Sequence, residues 1–151
     1  MLECSVIILN WNGEAMLRRF LPVVIAHTQL NGVEVVVADN GSTDGSLAYL
    51  RTQSVRIIDL GYNYGSAEGY NRAIAQVESK HVVLLNSDVE VTPNWLDTLL
   101  DYARAHEEVA VLQPKVLSWH SKQDMLQGKT EKVRFEQAGA AGGMIDCLGY
   151  P

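Results

Sequence analysis

Short apolar runs alternate along this chain with segments whose apolar residues recur every three or four positions. The runs predict five strands, at Ser5–Leu9, Glu34–Ala38, Val55–Asp59, Val82–Leu85 and Val109–Leu112. Continuous apolar runs are typical of parallel strands that helices cover, so we expect Val82–Leu85 to be buried on both faces. Strands that alternate with helices indicate right-handed β-α-β units. The pattern therefore predicts an α/β fold with a mainly parallel, twisted sheet and helices on both faces.

Four helices are predicted between these strands. They lie at about 17–25, 45–52, 67–77 and 96–103. Pro22 falls inside the first helix and is expected to kink or split it, because proline cannot donate the helical hydrogen bond. Ser66 is the expected N-cap of the third helix. Thr92, followed by Pro93, is a favourable start for the last one.

Composition narrows the class of protein. At 151 residues, with 47% hydrophobic and 20% charged residues, the chain suits one globular domain. A formal charge of −6 without a basic cluster argues against a nucleic-acid partner. Cys4 and Cys147 lack metal or redox spacing and are expected to be reduced thiols of a cytoplasmic protein. No segment approaches a membrane span, and attachment to the inner face of the membrane stays compatible with the sequence.

Polar residues and glycines follow four of the predicted strands. These segments read NWNG (Asn10–Gly13), DNGSTDGS (Asp39–Ser46), GYNYGSAEGYN (Gly61–Asn71) and NSD (Asn86–Asp88). In open parallel sheets, ligands bind beyond the carboxyl ends of the strands, and glycines allow a backbone to approach a ligand closely. The sequence therefore predicts a ligand site at this edge of the sheet.

Within these segments, individual residues allow more than one interpretation. Asp39 ends an apolar strand, where an acidic acceptor commonly meets a ribose or base donor. Asp44 and Ser42 fit a turn or helix cap as well as they fit a role in ligand binding. Asn63, Gly65 and Asn71 fit either ligand binding or loop geometry with helix capping, and the residues alone leave both open.

The NSD segment is the candidate metal site, although Asp88 could also be a solvated acid at the end of a strand. If the chain stays extended, alternation places Asn86, Asp88 and Glu90 on one side. Oxygen ligands suit Mg²⁺ or Mn²⁺, which usually bind one or two carboxylates together with substrate phosphates. No His or Cys spacing indicates a zinc site.

Five segments together carry a resemblance to a known family. They are SVIILNWNG, VEVVVADNGSTDGS, NYGSAEGYNRAI, HVVLLNSDVEVTPNWL and FEQAGAAGGMIDCLGYP. In this order they resemble family-2 glycosyltransferases of the GT-A fold, in the rhamnosyltransferase-like subset that acts on polysaccharide chains. The resemblance covers essentially all of residues 1–151 and implies one GT-A domain, with strand order 3-2-1-4 for the first four strands.

The resemblance also implies ligands and site residues. It implies a UDP-, dTDP- or GDP-linked sugar donor, a saccharide or lipid-linked acceptor, and Mg²⁺ or Mn²⁺ as cofactor. Asp39 matches the acid that meets the nucleotide base, and Asp88 matches the metal-binding acid of the DxD-type motif. The nucleotide-binding positions are then Asn10, Trp11, Asp39, Gly41, Asn63, Gly65, Asn71, Asn86, Ser87 and Asp88.

The sequence departs from the family pattern at two positions. Asn86 replaces the first acid of the metal motif, so a ribose contact survives but a second carboxylate does not. The arginine that many relatives carry before Asn71 is absent, because Gly69 and Tyr70 stand there.

The later part of the chain is expected to serve the acceptor. Residues 118–134 are polar and without periodicity, which predicts a loop or lid, and residues 135–151 form a Gly-rich acceptor-side segment. In inverting relatives the catalytic base follows that segment. We therefore expect a truncated domain with no catalytic residue assigned, and an isolated chain that transfers no sugar.

Two other functions compete with this interpretation. A Rossmann-type oxidoreductase requires GxGxxG after the first strand, and NWNGEA does not supply it. A non-catalytic nucleotide-binding or assembly module stays the alternative, and a later acidic motif in the complete reading frame would discriminate it from an enzyme.

Overall fold

Four parallel strands form the sheet. The computed structural model describes residues 1–114, 116–130 and 132, and its strands are β1 (Leu2–Asn10), β2 (Val33–Asp39), β3 (Arg56–Asp59) and β4 (Ser79–Asn86). The order is β3-β2-β1-β4, and each neighbouring pair is parallel. The α/β fold and the predicted order 3-2-1-4 are thus confirmed.

The helices of the described residues are α1 (Glu14–His27), α2 (Ser46–Leu50), α3 (Gly65–Ile74), α4 (Trp95–Ala105) and α5 (Trp119–Leu126). None of them is long and apolar enough to cross a membrane. The chain divides into two compact units, Met1–Leu96 and Asp97–Pro151. The first unit contains the whole sheet with α1 to α3, and the second contains α5.

Both faces of β1 are buried in the first unit. On one face, Ile7 packs in a cluster with residues of β2, β3 and α3, among them Val36 and Ala73. Alternation turns Val6 and Ile8 to the opposite face, where they are also buried. Each such aliphatic side chain contributes about 1.5–3 kcal/mol when it is fully buried. The central strand is therefore the best-anchored element beneath the candidate site.

Cys4 lies on β1 as a free, buried thiol. Burial, with a smaller contribution from the negative charge of Glu3, raises its pKa to about 11. The thiol is therefore protonated and unreactive at neutral pH. Cys147 lies outside the described residues.

The strand β4 is buried on one face only, which contradicts the prediction for Val82–Leu85. Leu85 is buried, but Val82 and Leu84 are 37% and 53% exposed. The strand lies at one edge of the described sheet, and α3 packs over β1 and β2. An apolar run does not reveal this, because it does not say how far a neighbouring helix extends across the sheet.

The prediction of a fifth strand at Val109–Leu112 is wrong. Those residues lack regular structure, and Val111 is 84% exposed. A strand needs a neighbour to pair with, and the described part of the second unit contains none. The prediction that all of 118–134 is a loop is also wrong, because α5 occupies part of that segment. Its role as a lid stays a prediction, and residues 135–151 lie outside the description.

Three helix details differ from expectation. The helix α1 continues through Pro22, so the predicted split is wrong; Pro22 is exposed while Leu21 and Val24 keep the helix anchored. Ser66 lies inside α3, and Tyr64 occupies its N-cap position. The helix α4 begins at Trp95, after a turn, rather than at Thr92.

The Asp44 carboxylate connects the starts of two helices. Its Oδ1 accepts a hydrogen bond from the Ser46 backbone N–H at 2.9 Å, and its Oδ2 accepts one from the Glu14 N–H at 3.1 Å. Desolvation would raise the pKa of Asp44, but hydrogen bonds from Ser46 and Glu14 together lower it. Gly45 occupies the N-cap position of α2, so Asp44 supports the start of that helix from the residue before it, which agrees with the turn-or-cap interpretation of Asp44. Asp44 serves α1 as well because Gly13, the N-cap of that helix, has no side chain to offer.

We predict that Asp44→Ala lowers the free energy of unfolding by about 1–2 kcal/mol at pH 7, as loss of a helix cap does. Because the folded-state pKa is lowered, this stabilisation is present above the unfolded pKa of 3.8 and is lost as pH falls through the folded value. Urea denaturation at pH 7 and at acidic pH measures both effects. Glu68→Ala, which removes an exposed ion pair with Arg72, is the control. An equal loss in both variants would contradict the capping role.

Candidate functional site

The carboxyl ends of the strands bring the predicted site segments to one edge of the sheet. Asn10 pairs in register with Asp39, and Asp39 with Asp59. On the other side of β1, Leu9 pairs with Asn86. The segments NWNG, DNGSTDGS and NSD therefore begin beside one another, as the sequence predicts for parallel strands.

A buried hydrogen bond joins the first two of these segments. Asn10 Nδ2 donates to Asp39 Oδ2 at 3.0 Å and lies 3.1 Å from Ser42 Oγ. Asp39 Oδ1 accepts from the Ser42 N–H at 2.8 Å. Because a carboxylate only accepts, the Asn10 amide must turn its nitrogen toward Asp39. Asn10 Oδ1 is then buried without a hydrogen-bond partner in the described structure.

Further contacts hold the loop after β1 against the loop after β2. The Asn12 N–H donates to Ser42 Oγ at 2.9 Å, and the Thr43 N–H donates to Asn12 Oδ1 at 2.7 Å. Asn12 adopts a left-handed conformation with φ 49°. Between Asn10 and Asn12, the Trp11 side chain is exposed. The loop thus presents an indole ring from a backbone that is fixed on both sides.

Asn40 connects the loop after β2 to the loop after β3. Its Nδ2 donates to Asn63 Oδ1 and to the Gly65 carbonyl, each at 3.1 Å, and its Oδ1 accepts from the Tyr64 N–H at 3.1 Å. The side chain is buried. Sequence reasoning missed this role. The signal in the sequence is the position of Asn40 directly after the strand, because its amide can donate and accept hydrogen bonds at once.

Gly41 allows the same two loops to touch. Its φ is +76°, and a Cβ there would lie 2.6 Å from the Tyr62 carbonyl carbon. The close approach that was expected toward a ligand is therefore, in the structure, an approach of one loop to another. Gly65 also has positive φ, but a Cβ there would meet open space.

Aromatic side chains form the outer surface of the loop after β3. Tyr62 is 66% exposed, and its ring meets that of Tyr64 edge to face at 5.2 Å. The Arg72 guanidinium lies 3.9 Å above the Tyr64 ring and pairs with Glu68. Asn71, predicted to bind nucleotide, is exposed on α3 and takes no part in the Asn40 contacts.

The NSD segment begins at the end of β4 and turns at once. Asn86 is the last strand residue, and a turn occupies Ser87 and Asp88, so the chain does not stay extended and the alternation through Glu90 does not apply. Asn86 and Asp88 are both exposed. Just before the turn, the Leu85 carbonyl accepts a hydrogen bond from Tyr70 Oη at 3.0 Å. Burial raises the pKa of Tyr70, and the negative charge of Asp88 adds to the increase.

The donor atoms at this turn fit a hard cation that phosphates help to hold. In the described residues, no group of three or more His, Cys, Asp or Glu forms a complete metal cage. The turn offers the oxygens of Asn86, Ser87 and Asp88. Mg²⁺ and Mn²⁺ commonly bind in this way, with one or two carboxylates and the remaining ligands from substrate and water.

Residues 5–145 match the family model described as "Glycosyl transferase family 2". The chain belongs to that family. The resemblance inferred from the sequence is thereby confirmed.

The chain is similar to glycosyltransferases of known name, and it aligns with only part of each of them. It is 32% identical over 124 residues to "N-acetylglucosaminyl-diphospho-decaprenol L-rhamnosyltransferase" of Mycobacterium tuberculosis, covering 74% of this chain and 40% of that protein. It is 26% identical over 140 residues to "Pre-mycofactocin glycosyltransferase" of the same organism, covering 89% of this chain and 26% of that protein. The chain thus spans less than half the length of these relatives.

Solved structures share the GT-A fold. Staphylococcus aureus TarS 1-349, in complex with UDP-GlcNAc, superposes with a TM-score of 0.63 at 25% identity, covering 70% of this chain and 32% of TarS. The mannosyltransferase PcManGT from Pyrobaculum calidifontis has a TM-score of 0.59 at 21% identity, covering 76% of this chain and 34% of that one. At that lower identity the likeness shows the fold alone.

We predict that Gly41→Ala destabilises the protein more than Gly61→Ala does. Both glycines have positive φ, which costs an alanine about 1–2 kcal/mol, but only at Gly41 would the Cβ also meet backbone. Thermal unfolding of both variants gives the comparison. Equal shifts in melting temperature would mean that the loops separate easily and that their contact is not tightly packed.

Proposed function

We propose that this chain is the donor-binding part of a glycosyltransferase that transfers a sugar from a nucleoside diphosphate to a saccharide or lipid-linked acceptor. The observation that carries the proposal is the meeting of the Asp39 and Asp88 segments at the carboxyl edge of the sheet, in a member of glycosyl transferase family 2. Ligands of open parallel sheets bind at such an edge.

The similar proteins indicate the classes of ligand. Solved structures contain TarS in complex with UDP-GlcNAc and with UDP, and PcManGT in complex with GDP-Man and Mn²⁺. The name of the mycobacterial rhamnosyltransferase denotes a diphospho-decaprenol substrate. For this chain we therefore propose a nucleotide-sugar donor and a lipid-linked or saccharide acceptor, with the base and the sugar left open.

At the nucleoside end, we propose that Asp39 accepts a hydrogen bond from the base. The carboxylate has no exposed surface, and it already accepts from Asn10 and Ser42. Direct contact with a base therefore requires the surrounding loops to open enough to expose one oxygen. Trp11 and Tyr62 expose aromatic rings on the flanking loops, and a planar base stacks favourably on such rings.

At the diphosphate end, we propose that Asp88 holds Mg²⁺ or Mn²⁺. A cation bound there would offset the negative charge that develops on the departing diphosphate. Asn86 can donate to or accept from a ribose hydroxyl, but it adds no charge. We further propose an inverting displacement, in which a base deprotonates the acceptor hydroxyl; no described residue is assigned to that step.

We predict that Asp39→Asn weakens nucleoside diphosphate binding at least severalfold, because a hydrogen bond to a charged group contributes about 1.5–3 kcal/mol. Calorimetric titration with UDP, dTDP and GDP measures the loss and identifies the base that the wild type prefers. Melting temperatures are needed alongside, since an amide at this position would also face the donors of Asn10 and Ser42.

Asp59→Asn is the matched control for this variant, because Asp59 ends β3 in register with Asp39 but is exposed. The control should bind nucleotide as the wild type does. A wild type that binds none of the three nucleotides would contradict the proposed function, and equal affinities of the two variants would contradict the role of Asp39.

We also predict that Asp88→Asn abolishes the increase in nucleoside diphosphate affinity that Mn²⁺ produces, because an amide lacks the charge a hard cation requires. Glu90→Gln, two residues beyond in the chain, should leave that increase nearly unchanged. The measurement is titration with Mn²⁺ and with EDTA. Full Mn²⁺ enhancement in Asp88→Asn would place the metal site elsewhere.

A further inference from the structure

The helix α3 lies unusually close to the centre of the sheet at Gly69. A Cβ at this position would lie 3.1 Å from Leu9 Cδ1 and 3.2 Å from Asn40 Nδ2, which is tighter than ordinary contact. Gly69 is buried, although it lies on a helix whose neighbouring residues are mostly exposed. The missing side chain thus lets the helix backbone approach β1, and this approach determines how far the next residue can reach.

The next residue, Tyr70, reaches past β1 to the end of β4. Its ring packs against the buried cluster that contains Ile7 and Ala73. Its hydroxyl donates to the Leu85 carbonyl at 3.0 Å. A half-buried phenol needs a hydrogen-bond partner, and here the partner is the backbone just before the Asn86–Asp88 turn.

The end of β4 has little other support on this face. Leu84, which alternation turns toward the α3 side, is about half exposed, whereas its register partner Ile7 on β1 is fully buried. Asn86 and Asp88 are exposed as well. The ladder with β1 holds this backbone through Leu85 and Asn86, and the hydrogen bond from the packed ring is the support that α3 adds to it just before the turn.

We propose that Tyr70 is a positioning residue: its hydroxyl holds the Leu85 backbone so that the Asp88 carboxylate stands where a cation and a diphosphate can meet it. The inference rests on the proposed function for the identity of that ligand. Position matters here because Asn86 supplies no second carboxylate, so the turn has one charged ligand and no substitute if that ligand moves.

The first test needs no ligand. Tyr70→Phe keeps the packed ring and removes only the hydroxyl, so the fold should persist. Loss of one hydrogen bond should speed amide hydrogen exchange at Asn86–Asp88 by about threefold to tenfold. Tyr49→Phe, a buried tyrosine on α2 whose ring lies beneath Arg18, is the control and should leave that exchange unchanged. Unchanged exchange in Tyr70→Phe would overturn the proposal.

The second test measures the consequence for binding. Titration of the full chain with nucleoside diphosphate should show that Tyr70→Phe weakens binding about threefold to tenfold with Mn²⁺ and hardly at all with EDTA. A merely structural role would lower both affinities. In the double variant with Asp88→Asn, the Tyr70 change should add no further loss, since both act through the same carboxylate.

The failures can be told apart. If Asp88→Asn loses the Mn²⁺ enhancement but Tyr70→Phe keeps it, the positioning role is wrong and the proposed metal site stands. If Asp88→Asn keeps the enhancement, the metal assignment itself is wrong, and the proposal for Tyr70 falls with it. Equal losses with Mn²⁺ and with EDTA would likewise overturn positioning in favour of general packing.

Discussion

The buried hydrogen bond between the Asn10 amide and the Asp39 carboxylate joins the ends of β1 and β2, and the loops of the site depend on it. A carboxylate without exposed surface is tolerated only when hydrogen bonds replace its lost water. The donors here are Asn10, at the end of β1 where one loop begins, and the Ser42 backbone in the loop after β2. Burying Asp39 therefore requires both loops to fold together. Ser42 and Asp44 then extend the same arrangement to the start of α1.

The third loop is joined by different chemistry. Asn40 is neutral, so its burial is less demanding, and its amide can satisfy donors and acceptors of the loop after β3 simultaneously. Such a contact requires the two backbones to lie close together, and Gly41 makes this possible. The three loops thus form one hydrogen-bonded edge. The turn at Asn86–Asp88 is held differently, through Tyr70 and the carbonyl of Leu85.

The four strands, and the edge of the sheet where the polar segments meet, could be predicted, because apolar runs favour strands and the carboxyl ends of parallel strands must share an edge. Val109–Leu112 has the same composition but no pairing partner in the described chain, and composition does not report partners. The helix α5 has no apolar stripe, so periodicity could not reveal it. Tyr70 falls within the predicted helix at 67–77, but its hydroxyl donates to a backbone carbonyl of β4, and no pattern of residue types indicates that contact.

The replacement of one acid by Asn86 has a consequence for how the proposed cation would be held. A single carboxylate binds Mg²⁺ or Mn²⁺ weakly, so most of the remaining charge and coordination must come from the diphosphate of the donor. Binding of the cation and of the nucleotide is then strongly coupled. Because coupling free energy is reciprocal, the factor by which the cation strengthens nucleotide binding equals the factor by which the nucleotide strengthens cation binding. A site of this kind is completed by its substrate. The protein must therefore fix the position of the Asp88 carboxylate, since it adds little further charge. For that reason the Tyr70 hydroxyl, which binds one backbone carbonyl, can affect cation binding.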